Sequence, residues 1–311
     1  MLRLRRFFGV AALLVMIVGC GGQNLATDEV TSENGAVLED PAGFEVIIPE
    51  EMERIVSLAP SITTILVDLG LEDRLVAMDM HSAFMLGNTG DLPVFDAMAL
   101  EVESMIELNP DFIFASTIIM MGNEENDPLA PIRELGIGIA YIPTSESIHA
   151  IQEDIRFIAT VMGEVDAGEV LVLGIEEEIE AIRDLVDARA GQLVVYFEIS
   201  PAPDMFSFGR GTFLNEMLEL VGAENVFAHY EGWLPVEAES IVALDPDVIF
   251  TNVDFIDDPI SEILSRPGWE GMSAIQNERV YRIDADETSQ PTHRITNALW
   301  VMVDYLYGAH E

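Results

Sequence analysis

VESMIELNPDFIFAS (residues 102–116) and AESIVALDPDVIFTN (residues 238–252) are two copies of one pattern. Each copy places Glu-Ser at the start of a helical run, continues with Leu-x-Pro-Asp, and ends in an apolar stretch that contains Ile-Phe. Residue 238 corresponds to residue 102, so the copies lie 136 positions apart, much further than the roughly 20–50 residues of a solenoid repeat. The repeat predicts two related lobes, and ligands commonly bind in the cleft between such lobes.

Short apolar strands alternate with helices along both halves of the chain. The predicted strands are residues 44–48, 54–58, 75–78, 112–115 and 138–142, followed by 193–198, 247–251 and 279–283. This alternation is typical of parallel sheets that are covered by helices. The predicted fold class is therefore α/β, with two Rossmann-like lobes built on mostly parallel sheets.

A single long helix is predicted to join the lobes. Apolar residues recur at helical spacing on one face: Leu171, Ile175, Ile179, Ile182 and Val186. A helix of ~20 residues spans ~30 Å, which is long enough to bridge two lobes. We assign residues 44–163 to the N-terminal lobe, 164–190 to the connecting helix and 191–311 to the C-terminal lobe; an ordinary surface helix of one lobe is the alternative.

The start of the chain carries a targeting pattern. Three arginines precede an apolar run over residues 7–18 that is too short for a membrane span: Arg3, Arg5 and Arg6. Cys20, the only cysteine, follows this run directly. The pattern resembles the bacterial lipobox, so we expect residues 1–19 to be a signal peptide, Cys20 to carry lipid, and residues 20–43 to form a flexible tether. An ordinary signal peptide or an uncleaved anchor is the alternative.

The composition is strongly acidic. There are 56 Asp and Glu against 14 basic residues, all of them Arg, which gives a net charge of −42. Residues 1–19 hold three Arg and no acid, so the remainder carries −42 − 3 = −45. Such a field opposes binding to nucleic acid and to anionic lipid.

The motifs that mark common enzymes are absent from the sequence. It has no His-Glu-x-x-His, no Walker loop and no Gly-x-Ser-x-Gly, and Gly209-x-Gly211 lacks the third glycine of a dinucleotide fingerprint. We therefore expect a binding protein with no catalytic residue and no resident cofactor.

Several segments in the same order resemble the bacterial solute-binding proteins that serve ferric siderophore, haem and cobalamin importers. Besides the repeated Glu-x₆-Pro-Asp pattern, they are residues 45–49 and 54–60, the loop 209–215, and residues 222–226, 266–269 and 279–281. The match covers about residues 44–307. It implies a monomeric, extracytoplasmic, lipid-anchored receptor whose lobes move little on binding. It also implies a partner, a membrane permease driven by an ATPase.

The resemblance assigns a role to the repeated glutamates. Glu103 and Glu239 match the docking glutamates of the family, one in each lobe, which meet arginines of the permease. A glutamate in the first turn of a helix is also favoured by the helix dipole without any partner. Both explanations can hold at once.

The ligand-binding residues are expected on loops at the carboxyl ends of the strands, where open α/β sheets bind ligands. The candidates are Met80, His81, Met120 and Met121 in the first lobe, and Phe206, Arg210, Trp233, Phe255 and His293 in the second. Methionine and aromatic side chains suit a flat macrocycle, His81 could be an axial ligand, and Arg210 suits an anionic group. Methionine also fills core gaps, and a lone histidine is often structural.

The cargo stays open at this level. A ferric siderophore, haem or a corrinoid would each fit the resemblance, with the metal part of the cargo and no protein metal site. The alternative is a zinc or manganese receptor that uses the scattered histidines, which are His81, His149, His229, His293 and His310. An extracellular enzyme acting on tetrapyrroles is a less favoured alternative.

Overall fold

The N-terminal lobe is built on a parallel sheet. The computed structural model describes residues 30–32, 35–87, 89–187 and 192–308. The strands of this lobe are β1 Val30–Ser32, β2 Gly35–Glu39, β3 Glu45–Ile48, β4 Ile55–Leu58, β5 Leu75–Asp79, β6 Val94–Phe95, β7 Phe112–Ser116 and β8 Gly138–Ile142. Strands β4 to β8 form the parallel sheet in the order β6-β5-β4-β7-β8, and β1 to β3 form an antiparallel sheet.

Helices connect these strands. They are α1 Pro60–Asp68, α2 Met80–Leu86, α3 Val102–Glu107 and α4 Ala130–Glu134, with 3-10 turns at Glu72–Arg74, Thr117–Met120 and Glu124–Asn126. Two longer helices follow the last strand, α5 Ile148–Met162 and α6 Val165–Asp187. This order of strand and helix places helices between successive parallel strands, as the alternating pattern predicted.

The C-terminal lobe repeats the architecture with a smaller sheet. Its strands are β9 Leu193–Glu198, β10 Phe206–Phe208, β11 Ala223–Asn225, β12 Trp233–Pro235, β13 Val248–Thr251 and β14 Val280–Arg282. Its helices are α7 Phe213–Leu220, α8 Ala238–Leu244, α9 Pro259–Leu264, α10 Ser273–Gln276, α11 Ala285–Ser289 and α12 Ile295–Tyr307. The parallel sheet has the order β11-β9-β13-β14, and β10 pairs with β12 in an antiparallel ribbon. The predicted two-lobed α/β class is confirmed.

Helix α6 connects the lobes. It packs against α5 on one side and against α7 and α12 on the other. Its buried face consists of Val172, Ile175, Ile179 and Ile182. At Gly168 an added Cβ would stand 2.4 Å from the Cβ of Ala159, so the close approach of α5 and α6 requires glycine there. The buried face agrees with the predicted spacing, whereas the exact lobe boundaries stay predictions.

The repeated stretches adopt the same local structure in both lobes. Met105 in α3 and Ile241 in α8 occupy equivalent positions and are fully buried. Asn109 and Asp245, the residues before the prolines, both take the left-handed conformation, with φ of 47° and 44°. Each helix therefore ends in the same turn, which directs the chain into the next buried strand.

The aspartate after each proline fastens two neighbouring strands. Asp111 donates its N–H to the carbonyl of Arg54 at 2.9 Å, and its Oδ2 accepts the N–H of Arg54 at 2.9 Å. Asp247 bonds in the same two ways to Val194, at 2.8 Å and 2.9 Å. In each lobe this pair of bonds, hereafter the aspartate clamp, sets the register at the start of the two central strands.

Some local expectations were wrong. Regular structure begins before Phe44, because Gly35–Glu39 pairs along Glu45–Ile48, so residues 35–39 are not part of a flexible tether. Met80 and His81 begin a helix rather than a loop. The signal peptide and Cys20 lie outside the described residues. No helix within the described ranges is long and apolar enough to cross a membrane.

The aspartate clamp should contribute measurably to stability. We expect Asp247→Ala to lower the free energy of unfolding by about 1–3 kcal/mol, because the Val194 N–H loses its acceptor. Asp257→Ala, at an exposed position, is the control and should change it by less than about 0.5 kcal/mol. Chemical denaturation measures both; equal stabilities of the two variants would contradict the role of the clamp.

Candidate ligand-binding cleft

A cavity of about 370 Å³ lies where the two lobes meet. Four strand ends of the first lobe open into it, because parallel strands end at the same edge of a sheet. These ends supply the last residue of each strand: Leu58 of β4, Asp79 of β5, Ser116 of β7 and Ile142 of β8. The second lobe contributes the segment 289–291.

The cavity walls are mostly apolar. Ile62 and Ile65 face it from α1, Ile158 from α5, and Met98 and Ile118 from loops of the first lobe. Met98 and Ile118 are more than half exposed, although such side chains are normally buried in a monomer. The sequence analysis did not select Met98. Their exposure beside a cavity indicates a surface that an apolar ligand covers.

Asp79 explains why a helix begins at this edge. Its Oδ1 accepts the N–H groups of His81 and Ser82 at 2.9 and 3.0 Å, and the Ser82 hydroxyl donates to its Oδ2. Aspartate is a favoured N-cap, so α2 starts directly after β5. His81, exposed in the first turn of α2, thereby lines the cavity as the sequence analysis expected.

Asp154 is a cavity residue that the sequence analysis missed. It lies on α5, is 6% exposed, and lines the cavity together with Ser145. The Ser145 hydroxyl donates to its Oδ2 at 2.5 Å. Burial raises the pKa of the Asp154 carboxyl to about 6, although the bond from Ser145 opposes this shift. A signal was present in the sequence: Asp154 shares the apolar face of α5 with Ile151 and Ile158.

The predicted methionines differ in exposure because the local backbone directs their side chains differently. Met80 and Met121 are about half or more exposed, at 49% and 66%, whereas Met120 is 3% exposed and belongs to the core of the first lobe. The 3-10 turn Thr117–Met120 turns Met120 inward, and the left-handed Met121 follows it. Phe84 lies one turn after Met80 on α2 and is 87% exposed, so it extends the apolar surface and was not predicted.

The aromatic residues predicted in the second lobe are partly exposed. Trp233 packs its ring near Phe208 and Phe213, with centroids 6.0 and 6.4 Å away, which holds the indole in place. Phe206 lies two residues before Phe208 on the same strand, and Phe255 is 72% exposed. These residues do not line the cavity between the lobes, but they give the second lobe an apolar surface.

His293 lies away from the cavity and serves the lobe interface. Its Nε2 lies 2.9 Å from Asp68 Oδ2, and Arg294 makes two further bonds of 2.9 Å to the same carboxylate. Burial lowers the pKa of the His293 imidazole despite the neighbouring carboxylate. Asp68 ends α1 and Arg294 precedes α12, so this cluster joins the lobes directly. His293 is not among the described residues that line the cavity, so its contact with the ligand stays a prediction.

The cavity is acidic and has no basic side chain apart from His81 among its described lining residues. Asp79, Asp96 and Asp154 are the carboxylates that line it. Arg210 is paired with exposed Glu231 at 3.3 Å. No group of three or more His, Cys, Asp or Glu among the described residues could hold a metal ion. The arrangement suits an apolar ligand that is uncharged or cationic.

Comparison with known proteins gives a consistent result. Residues 55–287 match the family described as periplasmic binding protein. The chain is 28% identical to the Bacillus subtilis protein YvrC, an uncharacterized ABC transporter substrate-binding lipoprotein, over 96% of each chain.

Two solved structures are similar in fold and sequence. The haem-binding protein RhuT from Roseiflexus has a TM-score of 0.72 and 27% identity, covering 84% of this chain and 100% of RhuT. The vitamin B12-binding protein BtuF from Vibrio cholerae has a TM-score of 0.68 and 27% identity, covering 84% of this chain and 98% of BtuF.

The buried carboxyl should cost stability at neutral pH. The folded pKa of Asp154 lies above its ordinary value, so the free energy of unfolding falls as pH rises from about 4 to about 6. We expect the free energy of unfolding of Asp154→Asn to equal that of the wild type near pH 4. At pH 7.5 it should be higher than that of the wild type by up to about 3 kcal/mol. Glu153→Gln, exposed on the same helix, is the control; a pH-independent difference for Asp154→Asn would contradict this account. Denaturation at both pH values measures it.

Proposed function

The chain belongs to the periplasmic binding protein family, and we propose that its cargo is a corrinoid. It is the substrate-binding component of an ABC importer, a class whose relatives here carry B12, haem or iron complexes. It therefore acts outside the cytoplasm and has a membrane permease as its partner. We propose no catalytic step: the protein captures its cargo and releases it to the permease.

The charge of the cavity favours a corrinoid over haem. Haem carries two propionates, whereas the edge of a corrinoid carries uncharged carboxamides. The cavity presents Asp79, Asp96 and Asp154 without a lysine or arginine among its described lining residues, and the whole chain has a net charge of −42. A dianionic ligand would be repelled here, and a carboxamide edge would not. This observation carries the proposal.

The apolar surfaces fit the same cargo. A flat macrocycle would lie between Met80 and Phe84 of the first lobe and the aromatic side chains of the second, Phe206, Trp233 and Phe255. His81 offers an imidazole beside the cavity to the metal of the cargo. Arg210, which is exposed and paired with Glu231 away from the described cavity lining, would bind a polar edge of the cargo. The alternative of a bare zinc or manganese ion needs converging donors, and the described residues contain no such group.

Titration of the purified protein tests the cargo. We expect cyanocobalamin and cobinamide to bind with one-to-one stoichiometry and to quench tryptophan fluorescence. Haemin should bind at least about tenfold more weakly, which corresponds to about 1.4 kcal/mol. This difference in affinity between haemin and the corrinoids should decrease at high salt, because salt screens the repulsion between the propionates and the protein. Tighter binding of haemin, a ferric siderophore or free zinc would refute the corrinoid proposal.

We propose that Glu103 and Glu239 dock the permease. Both are exposed in the first turn of their helices, two residues before a buried apolar residue, so the repeat presents them alike. In neither lobe does the carboxylate have a salt bridge to a described residue. A pair of equivalent free carboxylates suits a partner with two equivalent basic sites.

Charge reversal tests the docking residues. We expect Glu103→Arg and Glu239→Arg to reduce cargo uptake into proteoliposomes that contain the permease about tenfold or more, because like charges then meet. Cargo affinity in solution should not change. Glu107→Arg is the matched control, since Glu107 is exposed on the same helix but corresponds to Ala243 in the second copy. Loss of cargo affinity, or equal loss of uptake with Glu107→Arg, would remove the docking role.

We also propose that Cys20 anchors the protein to the membrane and that the protein acts as a monomer. Cys20 follows the apolar run of the signal peptide directly, and the similar Bacillus subtilis protein is described as a lipoprotein. Cys20→Ser should move the protein from the membrane fraction to the soluble fraction, because stable anchoring needs the acyl chains. If the wild type incorporates no labelled fatty acid, the anchor is refuted.

A further inference from the structure

Asp154 differs from the other buried carboxylates of the protein. Asp40 accepts backbone N–H groups from residues 42, 44 and 141, and Asp79 accepts two in the first turn of α2. Glu198 is paired with the guanidinium of Arg266. Asp154 Oδ2 accepts a hydrogen bond from the Ser145 hydroxyl, and none of the described residues donates a hydrogen bond to its Oδ1. Among the described residues, the buried polar side-chain atom without a partner is His293 Nδ1, so Asp154 Oδ1, which has no protein partner, is open to the cavity and available to a ligand.

The surroundings direct this oxygen towards a ligand. Asp154 and Ser145 both line the cavity, and their neighbours there are the aliphatic side chains of Ile62, Ile65 and Ile158. The Ser145 hydroxyl donates a hydrogen bond to Oδ2, and this bond holds the carboxylate in one orientation. Between aliphatic side chains a hydrogen bond to a charged acceptor is stronger than in bulk water. The site therefore combines an apolar enclosure with one oriented acceptor.

We propose that Asp154, held by Ser145, is a specificity subsite that accepts an N–H donor from the cargo and rejects a carboxylate at the same place. This inference rests on the proposed corrinoid cargo. It adds the residue that binds the carboxamide groups at the edge of that cargo. A corrinoid carboxamide can donate one N–H to Oδ1. The corresponding carboxylic acid would face Asp154 as a second anion and could bind only if the pair retained a proton.

Other charged groups around the cavity limit how the site can be tested. Asp79 and His81 face the cavity from the β5–α2 junction, and Asp96 faces it from the loop after β6. Glu153 lies on α5 itself, is paired with Arg156, and adds to the field at Asp154. A test must therefore separate the contact at Asp154 from the general charge of the cavity and from the neighbouring imidazole of His81.

Two corrins that differ in their edge groups provide the test. Dicyanocobinamide has carboxamide side chains, dicyanocobyrinic acid has carboxylates, and cyanide blocks both axial positions of each. Their affinities are measured by fluorescence quenching at pH 5 and pH 7.5 for the wild type, Asp154→Leu, Asp154→Asn, Glu153→Gln and His81→Gln. Circular dichroism and thermal melts verify folding of each variant.

For the wild type we expect tight binding of dicyanocobinamide that strengthens from pH 5 to pH 7.5. Asp154→Leu should bind it about tenfold or more weakly with no pH dependence, because the charged acceptor is lost. Asp154→Asn should recover part of this loss, since a carboxamide can turn its carbonyl towards the asparagine N–H. Both variants should bind dicyanocobyrinic acid more tightly than the wild type does. Glu153→Gln should resemble the wild type, and the pH dependence should persist in His81→Gln.

Two failures are distinguishable. If the wild type binds neither corrin, the corrinoid cargo itself is refuted, and the subsite with it. If the wild type binds dicyanocobinamide but Asp154→Leu binds it equally well, or if Glu153→Gln shifts the preference as much as Asp154→Leu, the cargo stands and the subsite is refuted.

Discussion

The aspartate clamp is the constraint on which the architecture of both lobes depends. Asp111 and Asp247 each use the backbone N–H and one carboxylate oxygen to hold both polar groups of one residue at the start of the neighbouring strand. Because a shift by one residue would turn every side chain to the other face of the sheet, these bonds protect the core. The left-handed residue before each proline sets the entry angle. The repeat thus encodes one structural solution twice, and the strand ends that form the cleft follow from it.

The lobes are joined by more than the connecting helix. Asp68 binds His293 and Arg294 across the interface, and the Thr64 hydroxyl donates to Gln290 at 3.2 Å. These contacts link α1 directly to the segment around α11 and α12. Together with α6, whose buried face packs against helices of both lobes, they favour a cleft that is formed before the ligand arrives. A preformed cleft lowers the entropic cost of binding a rigid ligand.

The cavity contains groups that lower the free energy of unfolding and that are available to a ligand. Asp40, Asp79 and Glu198 are buried, and each accepts hydrogen bonds from two or more groups. Burial raises the pKa of Asp154, as it does those of Asp40 and Glu198, but the Ser145 hydroxyl is the one described donor that reaches the Asp154 carboxyl. Residues that break a local rule in this way are expected at functional sites. The exposed apolar side chains around the cleft, Met80 and Phe84 among them, follow the same logic.

The sequence by itself determined the two-lobed α/β fold, the long helix and the equivalence of Glu103 and Glu239, because repeats, strand runs and helical spacing are recorded locally along the chain. It also selected His81 as a ligand-binding candidate, and His81 lies in the first turn of α2 beside the cavity. Tertiary structure decided the rest. Met120 and Met121 are neighbours of one type, and only the turn between them separates a core residue from an exposed one. His293 became an interface residue because Asp68 lies 225 positions earlier (293 − 68) yet beside it in space. Asp154 became a cavity residue because folding placed the apolar face of α5 against the strand ends, a contact that no local pattern records.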